Sequence, residues 1–534
     1  MPATAEIVAA KLAAAGCRFA FGVPGGETLA LMEALQGAGV AFRLVRHENA
    51  GGFMAEGVHH MDGAPGVLLA TLGPGLMNAA NVIENARQDQ VPLIVLSAAV
   101  GPAEAETYTH QVLDQCAAMR PLTKASWRLV DGAVETVLDK ALALALADPQ
   151  GPVHIDVPVG LAGGDQPAGP SRRAPAAPSA PAPGPALEAA RARLAAAERP
   201  ILLAGLGAVA HGAGPLLREV MERFGAPLLT TYKGKGLVDE AHPLCLGGHG
   251  LSPRSDAIVL PLLARSDCVV TVGYDPIEMR AGWRDPWPAE RCVALDHVAS
   301  RHGMHGAGVS FVGDVRAGLD ALTRGLAPER PVWPGGEPAE TRAALAAAFA
   351  PPAEWGPHAA FAAARRALPP EAVVTVDSGA HRILLSQMWR CPAPRTLLQS
   401  AAFCTMGCAL PLAMGVRLAA PGRPVMAVTG DGGLEMVLGE LATLRDMEAP
   451  LTLLAMADRS LALIALKQRQ ARRAPLGCAL GATDWPALAQ AMGGTGLWAR
   501  DAAAVEAAVA ESLERRGFTL IACDIDEAAY GGAF

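Results

Sequence analysis

The apolar positions of this chain gather into short β-branched or aliphatic runs. Each ends in Gly or Asp and is followed by an Ala/Leu-rich stretch with helical spacing. FAFGVPGG, GVLLATLGPG, PLIVLSAAV and VHIDVP are such runs in the first third. PILLAGLGA, APLLTTYKG, CVVTVGYDP and RCVALDHV occupy the middle, and AVVTVDSGA, PVMAVTGDGG, PLTLLAMAD and TLIACDID the last third. Near-continuous apolar strands alternating with helices predict parallel sheets covered on both faces. The expected fold class is α/β, with three doubly wound parallel-sheet domains. Ligands of such sheets lie beyond the carboxyl ends of the strands, so the loops that follow them are where chemistry is sought.

Two stretches break the rhythm. Residues 166–185 (QPAGPSRRAPAAPSAPAPGP) read as an exposed, stiff linker, and residues 326–357 as a second one. The predicted domains are therefore 1–165, 186–325 and 358–534, each of ordinary domain size. A third stretch, 396–416, has no charge and is long enough to cross a bilayer. Its Gln399, Ser400, Gly407, Pro411 and Gly415 favour a buried helix instead, so no membrane partner is expected.

Composition narrows the function. With 51% hydrophobic residues in 534, the chain has ample material for several cores. Aromatics at 4% and a net charge of −8 argue against a nucleic-acid partner, which needs basic excess or stacking platforms. Ten cysteines without a repeated spacing suggest reduced, buried thiols. No basic segment precedes an apolar core at the N-terminus, so a cytoplasmic location is expected.

The sharpest chemical signal is Gly430-Asp431-Gly432-Gly433 at a strand end, with Asp458 ending the next strand 27 residues later. One strand–helix–strand unit fits that gap, which sets both carboxylates at one sheet edge. Hard oxygen ligands beside close-approaching glycines and a helix start suit Mg²⁺ carrying a diphosphate. On spacing alone a common turn and a helix cap at Asp458 remain open. Glu48, in RHENAGGFMAEG, stands at a strand end before a helix and reads alone as a helix-terminal residue. GVPGG (22–26) and TLGPGLMNA (71–79), where Asn78 is taken to open a helix, are weak ligand-loop signals. GLGAVAHGAG in the middle lacks a clean G-x-G-x-x-G, so an inherited nucleotide fold without a nucleotide is preferred.

Together, GVPGG, RHENAGGFMAEG, TLGPGLMNA and a late GDG with its second carboxylate resemble the thiamine diphosphate-dependent enzymes that use pyruvate. Thr109-His110-Gln111-Val112-Leu113-Asp114, Arg120-Pro121-Leu122-Thr123-Lys124 and Gly273-Tyr274-Asp275-Pro276-Ile277-Glu278 look like the catabolic, FAD-independent acetolactate synthases, which also have Asp at the second metal position. Thr405-Met406-Gly407 resembles the biosynthetic synthases instead. Ala457 and Arg459–Ile464 depart from both patterns.

The resemblance implies pyrimidine-binding, central and diphosphate-binding domains in that order, with thiamine diphosphate and Mg²⁺ as cofactors and no FAD. It assigns Glu48 to N1′ of the aminopyrimidine, and Asp431, Asp458 and the Ser460 carbonyl to the metal. Gly430, Gly432 and Gly433 fall to the diphosphate, with His381 bordering it, and Met406 to the wedge that bends the cofactor. Pro24, Gly25, Gly73 and Asn78 line the cofactor, while His110 and Gln111 lie near C2. For Met406, a core position is the other reading; for His381, and for His110 with Gln111, structural roles are. The implied substrate is a small 2-oxo acid, pyruvate, decarboxylated and ligated to a second carbonyl. A simple decarboxylase, a dione-cleaving hydrolase and a non-catalytic paralogue are the rivals. Family pairing of the first and third domains across chains implies a homodimer or homotetramer with interface sites.

Overall fold

The computed structural model describes residues 1–167 and 177–534. It holds three six-stranded sheets in which every strand pairing is parallel. The first runs, edge to edge, Ala41–Leu44, Phe19–Val23, Gly66–Ala70, Leu93–Ala99, Pro152–Pro158, Ala125–Arg128. The third runs Leu397–Gln399, Val373–Val376, Val425–Gly430, Leu451–Ala457, Phe518–Asp524, Thr495–Ala499. Both follow the chain order 2-1-3-4-6-5. The central sheet runs Val309–Val312, Cys292–Asp296, Cys268–Val272, Pro200–Ala204, Leu228–Thr230, Cys245–Gly248. Counted from its own first strand, that is 6-5-4-1-2-3, the doubly wound order of dinucleotide-binding folds. Strands such as Gly66–Ala70 and Leu451–Ala457 are buried at every residue, as expected of strands covered on both faces.

Strand order reverses between Phe19–Val23 and Gly66–Ala70 in the first sheet and between Val373–Val376 and Val425–Gly430 in the third. A crevice opens at such a switch point. The loops there are the ones that carry Pro24, Gly25 and Gly73 in one domain, and His381 and Gly430–Gly433 in the other.

The first and third domains of one chain share a core: Phe53, Met54 and Val82 belong to one buried cluster with Leu412, Met414 and Leu453. Helix Glu48–Asp62 lies against helix Ala409–Ala419 at backbone distance. A Cβ on Gly57 would stand 2.3 Å from the Leu412 carbonyl oxygen, and one on Gly415 would stand 2.0 Å from that of Met54. Glu440 Oε1 accepts from the backbone N–H of Arg46 and His47, both at 3.0 Å. The central domain joins through a buried ion pair, Lys233–Asp89 at 3.0 Å.

Several expectations need revision. Residues 396–416 form a strand, a loop and only then a buried helix from Ala409. Residues 326–357 contain helix Glu337–Ala348, whose Ala-rich sequence has high helix propensity. The run after Gly433 is two short helices, Asp431–Glu435 and Glu440–Asp446. Part of the predicted first linker, 168–176, lies outside the described residues. The ten cysteines are free as expected, but not all are buried: Cys116 is half-buried and Cys404 exposed. Among the described residues no helix is long and apolar enough to cross a membrane.

Candidate active site

Two half-sites occupy the switch points of the first and third sheets. In the third domain, parallel pairing of Gly430 with Met456 sets Asp431 and Asp458 at one sheet edge. Asp431 is the first residue of its helix; its Oδ1 accepts from Gly432 N–H (2.8 Å) and its Oδ2 from Arg459 N–H (2.5 Å). Asp458 Oδ1 accepts from Ser460 N–H at 2.9 Å. Burial pushes the Asp431 carboxyl up to about 6. Burial, reinforced by repulsion from Asp431, pushes Asp458 up to about 8. Two such carboxylates call for a cation. Among the described residues no group of three or more His, Cys, Asp or Glu could hold a metal. A metal here would complete its shell with ligand oxygens, and two carboxylates plus a diphosphate is how Mg²⁺ is commonly held.

Asp431, Asp458, Ser460, Met406, His381 and Gly430 with Gly432 and Gly433 all line one cavity of about 330 Å³. The donor set suits a diphosphate. His381 is 6% exposed and its Nε2 has no partner. Burial, with help from the Arg382 charge, pushes its pKa down to about 3, so the ring is neutral near pH 7. Ser378 Oγ, on the same wall, is also unpartnered. An enclosed donor without an acceptor is costly unless a ligand supplies one. Met406 is half-buried on the cavity wall, and the following helix begins only at Ala409, so the core reading of this methionine fails.

The sequence reading missed the residue beneath this half-site. Asp377 is fully buried and accepts from the N–H groups of Ser378, Gly407 and Cys408 and from Thr429 Oγ1, at 2.9–3.2 Å. It ties together the loops carrying His381, Met406 and the GDG turn. A Cβ on Gly433 would stand 2.0 Å from Asp377 Oδ2, so only glycine fits there. Its one sequence signal was a carboxylate ending the strand VVTV. Cavity-lining Arg280, Cys404 and Lys467 left no signal at all.

In the first domain, Glu48 opens helix Glu48–Asp62 and is 5% exposed. Its Oε2 accepts from Asn78 Nδ2 at 3.0 Å. Asn78 closes the one-turn helix Pro74–Asn78 rather than opening one, which aims its amide back at Glu48. A Cβ on Gly75 would meet Glu48 Oε1 at 3.1 Å. Pro24 and Gly25 follow the first strand. A Cβ on Gly25 would lie 2.3 Å from Thr71 Oγ1 and 2.7 Å from Glu27 Oε2, two groups that hydrogen-bond each other at 3.0 Å. Gly73 has φ +65°, and a Cβ there would sit 3.0 Å from the Gln111 carbonyl oxygen. Gln111, with φ +57°, and His110 are exposed on a loop and cap no helix. Buried Gln115 anchors that loop: its Oε1 accepts from Gly73 N–H (2.6 Å) and its Nε2 donates to Asp156 Oδ1 (2.7 Å). Non-glycine residues with positive φ recur at both half-sites, at Gln111, Cys404 and Arg459, which is where backbone strain tends to be stored.

One chain does not bring the halves together. The cavity holding Asp431 and Asp458 is lined by the third domain and by Leu251 and Arg280 of the central domain, with no first-domain residue among the described ones. Gln111 borders a different cavity of about 510 Å³.

Comparison with known proteins agrees with this architecture. Residues 2–118 match the N-terminal TPP binding domain of thiamine pyrophosphate enzymes, residues 187–322 their central domain and residues 377–523 their C-terminal TPP binding domain. A probable 2-ketoarginine decarboxylase of Pseudomonas aeruginosa is 34% identical over 461 residues, covering 83% of this chain and 80% of the relative. An acetolactate synthase of Bacillus subtilis is 29% identical over 508 residues, covering 92% and 88%. The acetolactate synthase isozyme 1 large subunit of Escherichia coli is 30% identical, covering 87% and 83%. Three matched domains in sequence, on three sheets that set the matched loops at their switch points, make this chain a member of the thiamine pyrophosphate enzyme family.

Proposed function

We propose that this protein decarboxylates a small 2-oxo acid, pyruvate, and joins the remaining two-carbon unit to a second carbonyl, giving 2-acetolactate when the acceptor is also pyruvate. The observation that carries the reading is the pair of charge-starved carboxylates, Asp431 and Asp458, sharing a glycine-walled cavity with the unpartnered His381 Nε2. Bound thiamine diphosphate supplies a nucleophilic thiazolium carbon and an electron sink for loss of CO₂.

The rest falls to the chain. Asp431 and Asp458 would hold Mg²⁺, and Gly432, Gly433 and His381 would offer N–H donors to diphosphate oxygens. Met406 would supply the apolar wedge against which the cofactor bends. Glu48, oriented by Asn78, would hydrogen-bond N1′ of the aminopyrimidine and hold a proton there. His110 and Gln111 hydrogen-bond the substrate carboxylate or ketone oxygen.

The site is assembled from two chains, the first domain of one facing the third domain of another. Large apolar side chains stand exposed beside each half: Leu29 at 61% and Met77 at 44% in the first domain, Met436 at 64% and Ile464 at 44% in the third. Such residues are those a partner would cover. In this reading the central domain keeps its dinucleotide-type fold without serving an FAD.

A second reading, decarboxylation of a 2-oxo acid with a cationic side chain, draws on the 2-ketoarginine decarboxylase likeness. Arg280 and Lys467 on the cavity wall weigh against it. Product analysis after incubation with thiamine diphosphate, Mg²⁺ and either pyruvate or 2-ketoarginine separates the two. Acetolactate from pyruvate is expected. Acetaldehyde alone, or turnover confined to 2-ketoarginine, overturns the carboligase reading.

A further inference from the structure

Helix Ala80–Gln88 of the first domain, capped at its end by Asp89, carries Asn81, Asn85 and Asp89 at i, i+4 and i+8, which is one helix face. That face holds the loop that precedes Met406 in the third domain of the same chain. Asn81 Oδ1 accepts from Thr405 Oγ1 at 3.1 Å, and Asn85 Oδ1 from Ser400 Oγ at 2.6 Å. The Asp89 carboxylate accepts from the N–H groups of Ala401 (3.3 Å) and Ala402 (2.9 Å). Ser400 Oγ carries the restraint onward, accepting from Thr405 N–H at 3.0 Å. Asn85 Nδ2 donates to Glu56 Oε2 at 3.1 Å, which fixes the amide with its oxygen toward Ser400. Asn85 and Asp89 are 0% and 2% exposed, and a hydrogen bond lost at such depth leaves its partner unsatisfied.

The loop needs this hold. Cys404, two residues before Met406, has φ +57°, a conformation that a side chain disfavours and that persists only where the surroundings over-determine it. On the far side of Met406, the N–H groups of Gly407 and Cys408 donate to Asp377 at 2.9 and 3.2 Å. Met406 is thus clamped between a third-domain carboxylate and a first-domain helix face.

The same first domain carries Glu48, and Asn78, which orients it, stands three residues before Asn81. In the two-chain site proposed above, on which this inference rests, Glu48 faces the partner's third domain while Asn81, Asn85 and Asp89 face their own. We propose that Asn85, flanked by Asn81 and Asp89, is a positioning residue for the Met406 loop of its own chain. Each first domain then serves two active sites, one through Glu48 and the other by fixing the wedge. A displacement of about 1 Å in such a loop is enough to cost a large part of the rate.

The test compares purified mixed dimers of tagged chains, saturated with thiamine diphosphate and Mg²⁺ and assayed with pyruvate. In one arrangement Glu48→Gln and Asn85→Ala sit on opposite chains. In the other both sit on one chain and its partner is wild type. Opposite placement gathers both lesions in one site and leaves the second whole, so up to about half of wild-type kcat is expected. Placement on one chain damages both sites, and kcat should fall a further 10–100-fold or so. Equal activity in the two arrangements means a lesion spread through the whole chain, or none, and overturns the proposal. A reversed ranking overturns it too, and the pair Glu48→Gln with Asp458→Ala then identifies the cause. Recovery in that pair leaves the two-chain site standing and moves the effect of Asn85 to its own Glu48; no recovery removes the two-chain site itself. Asn81 is exposed and its replacement removes a single loop contact, so Asn81→Ala repeats the comparison in a chain that folds, with a smaller loss ranked the same way.

Discussion

Protons and Mg²⁺ should compete for the carboxylate pair. Without a cation, burial holds Asp431 near 6, and burial reinforced by repulsion from Asp431 holds Asp458 near 8. Both folded-state values lie above the ordinary 3.8, so the empty site disfavours ionisation, and the metal-free fold loses stability as pH rises from about 4 toward 8. Mg²⁺ takes the ionised form, so binding it must expel whatever protons remain. At pH 7 a carboxyl titrating near 8 is about nine-tenths protonated, which lowers apparent Mg²⁺ affinity about tenfold from its limit. At pH 6 the loss from Asp458 reaches roughly 100-fold, and half-protonation of Asp431 adds about a factor of two. The assay is a Mg²⁺ titration at saturating thiamine diphosphate, followed by circular dichroism at pH 6, 7 and 8.5. Affinity should climb steeply across that range, and Asp458→Asn should bind more weakly with a shallower slope. A Mg²⁺ affinity that stays constant between pH 6 and 8.5 would refute the picture of two facing, poorly solvated carboxylates.

Other substitutions probe separate parts of the account. Glu48→Gln should cut kcat by roughly 10²–10⁴, the usual weight of a positioned proton-transfer group, while thiamine diphosphate still binds; wild-type turnover would remove Glu48 from the mechanism. Gly433→Ala places a methyl group 2.0 Å from Asp377 Oδ2, so cofactor affinity measured by titration should collapse, and unchanged affinity would mean that the GDG turn does not seat the diphosphate. Gly415→Val drives a side chain into the Met54 carbonyl 2.0 Å away, and overpacking of this kind costs about 1–3 kcal/mol or more, read as a lowered Tm. An unaltered Tm would mean that the contact between the first and third domains can slide.

Central strands were legible in the sequence because burial on both faces leaves an unbroken apolar run, as in Leu451–Ala457. Five strands were not: Ala125–Arg128, Cys245–Gly248, Val309–Val312, Leu397–Gln399 and Thr495–Ala499. All five are sheet edges. Three or four residues long in most cases, and half-exposed in Ala125–Arg128 and Val309–Val312, they leave little periodicity to read. At the site, carboxylates that follow strand ends, such as Glu48, Asp431 and Asp458, were visible from one dimension. Asp377 was not, because its importance lies in four donors drawn from distant stretches of chain. Arg280 was hidden for a related reason: it reaches the cavity only through the packing of the central domain on the third.

The central claim is that Glu48 of one chain meets Asp431 and Asp458 of another. Subunit complementation tests it most directly: two inactive variants, Glu48→Gln and Asp458→Ala, are co-expressed with different tags, and the mixed assembly is purified and assayed with pyruvate. A site shared between chains leaves one intact site in each mixed dimer, so the purified heterodimer should recover up to about half of wild-type activity per dimer. Activity no higher than that of either variant alone would contradict the account.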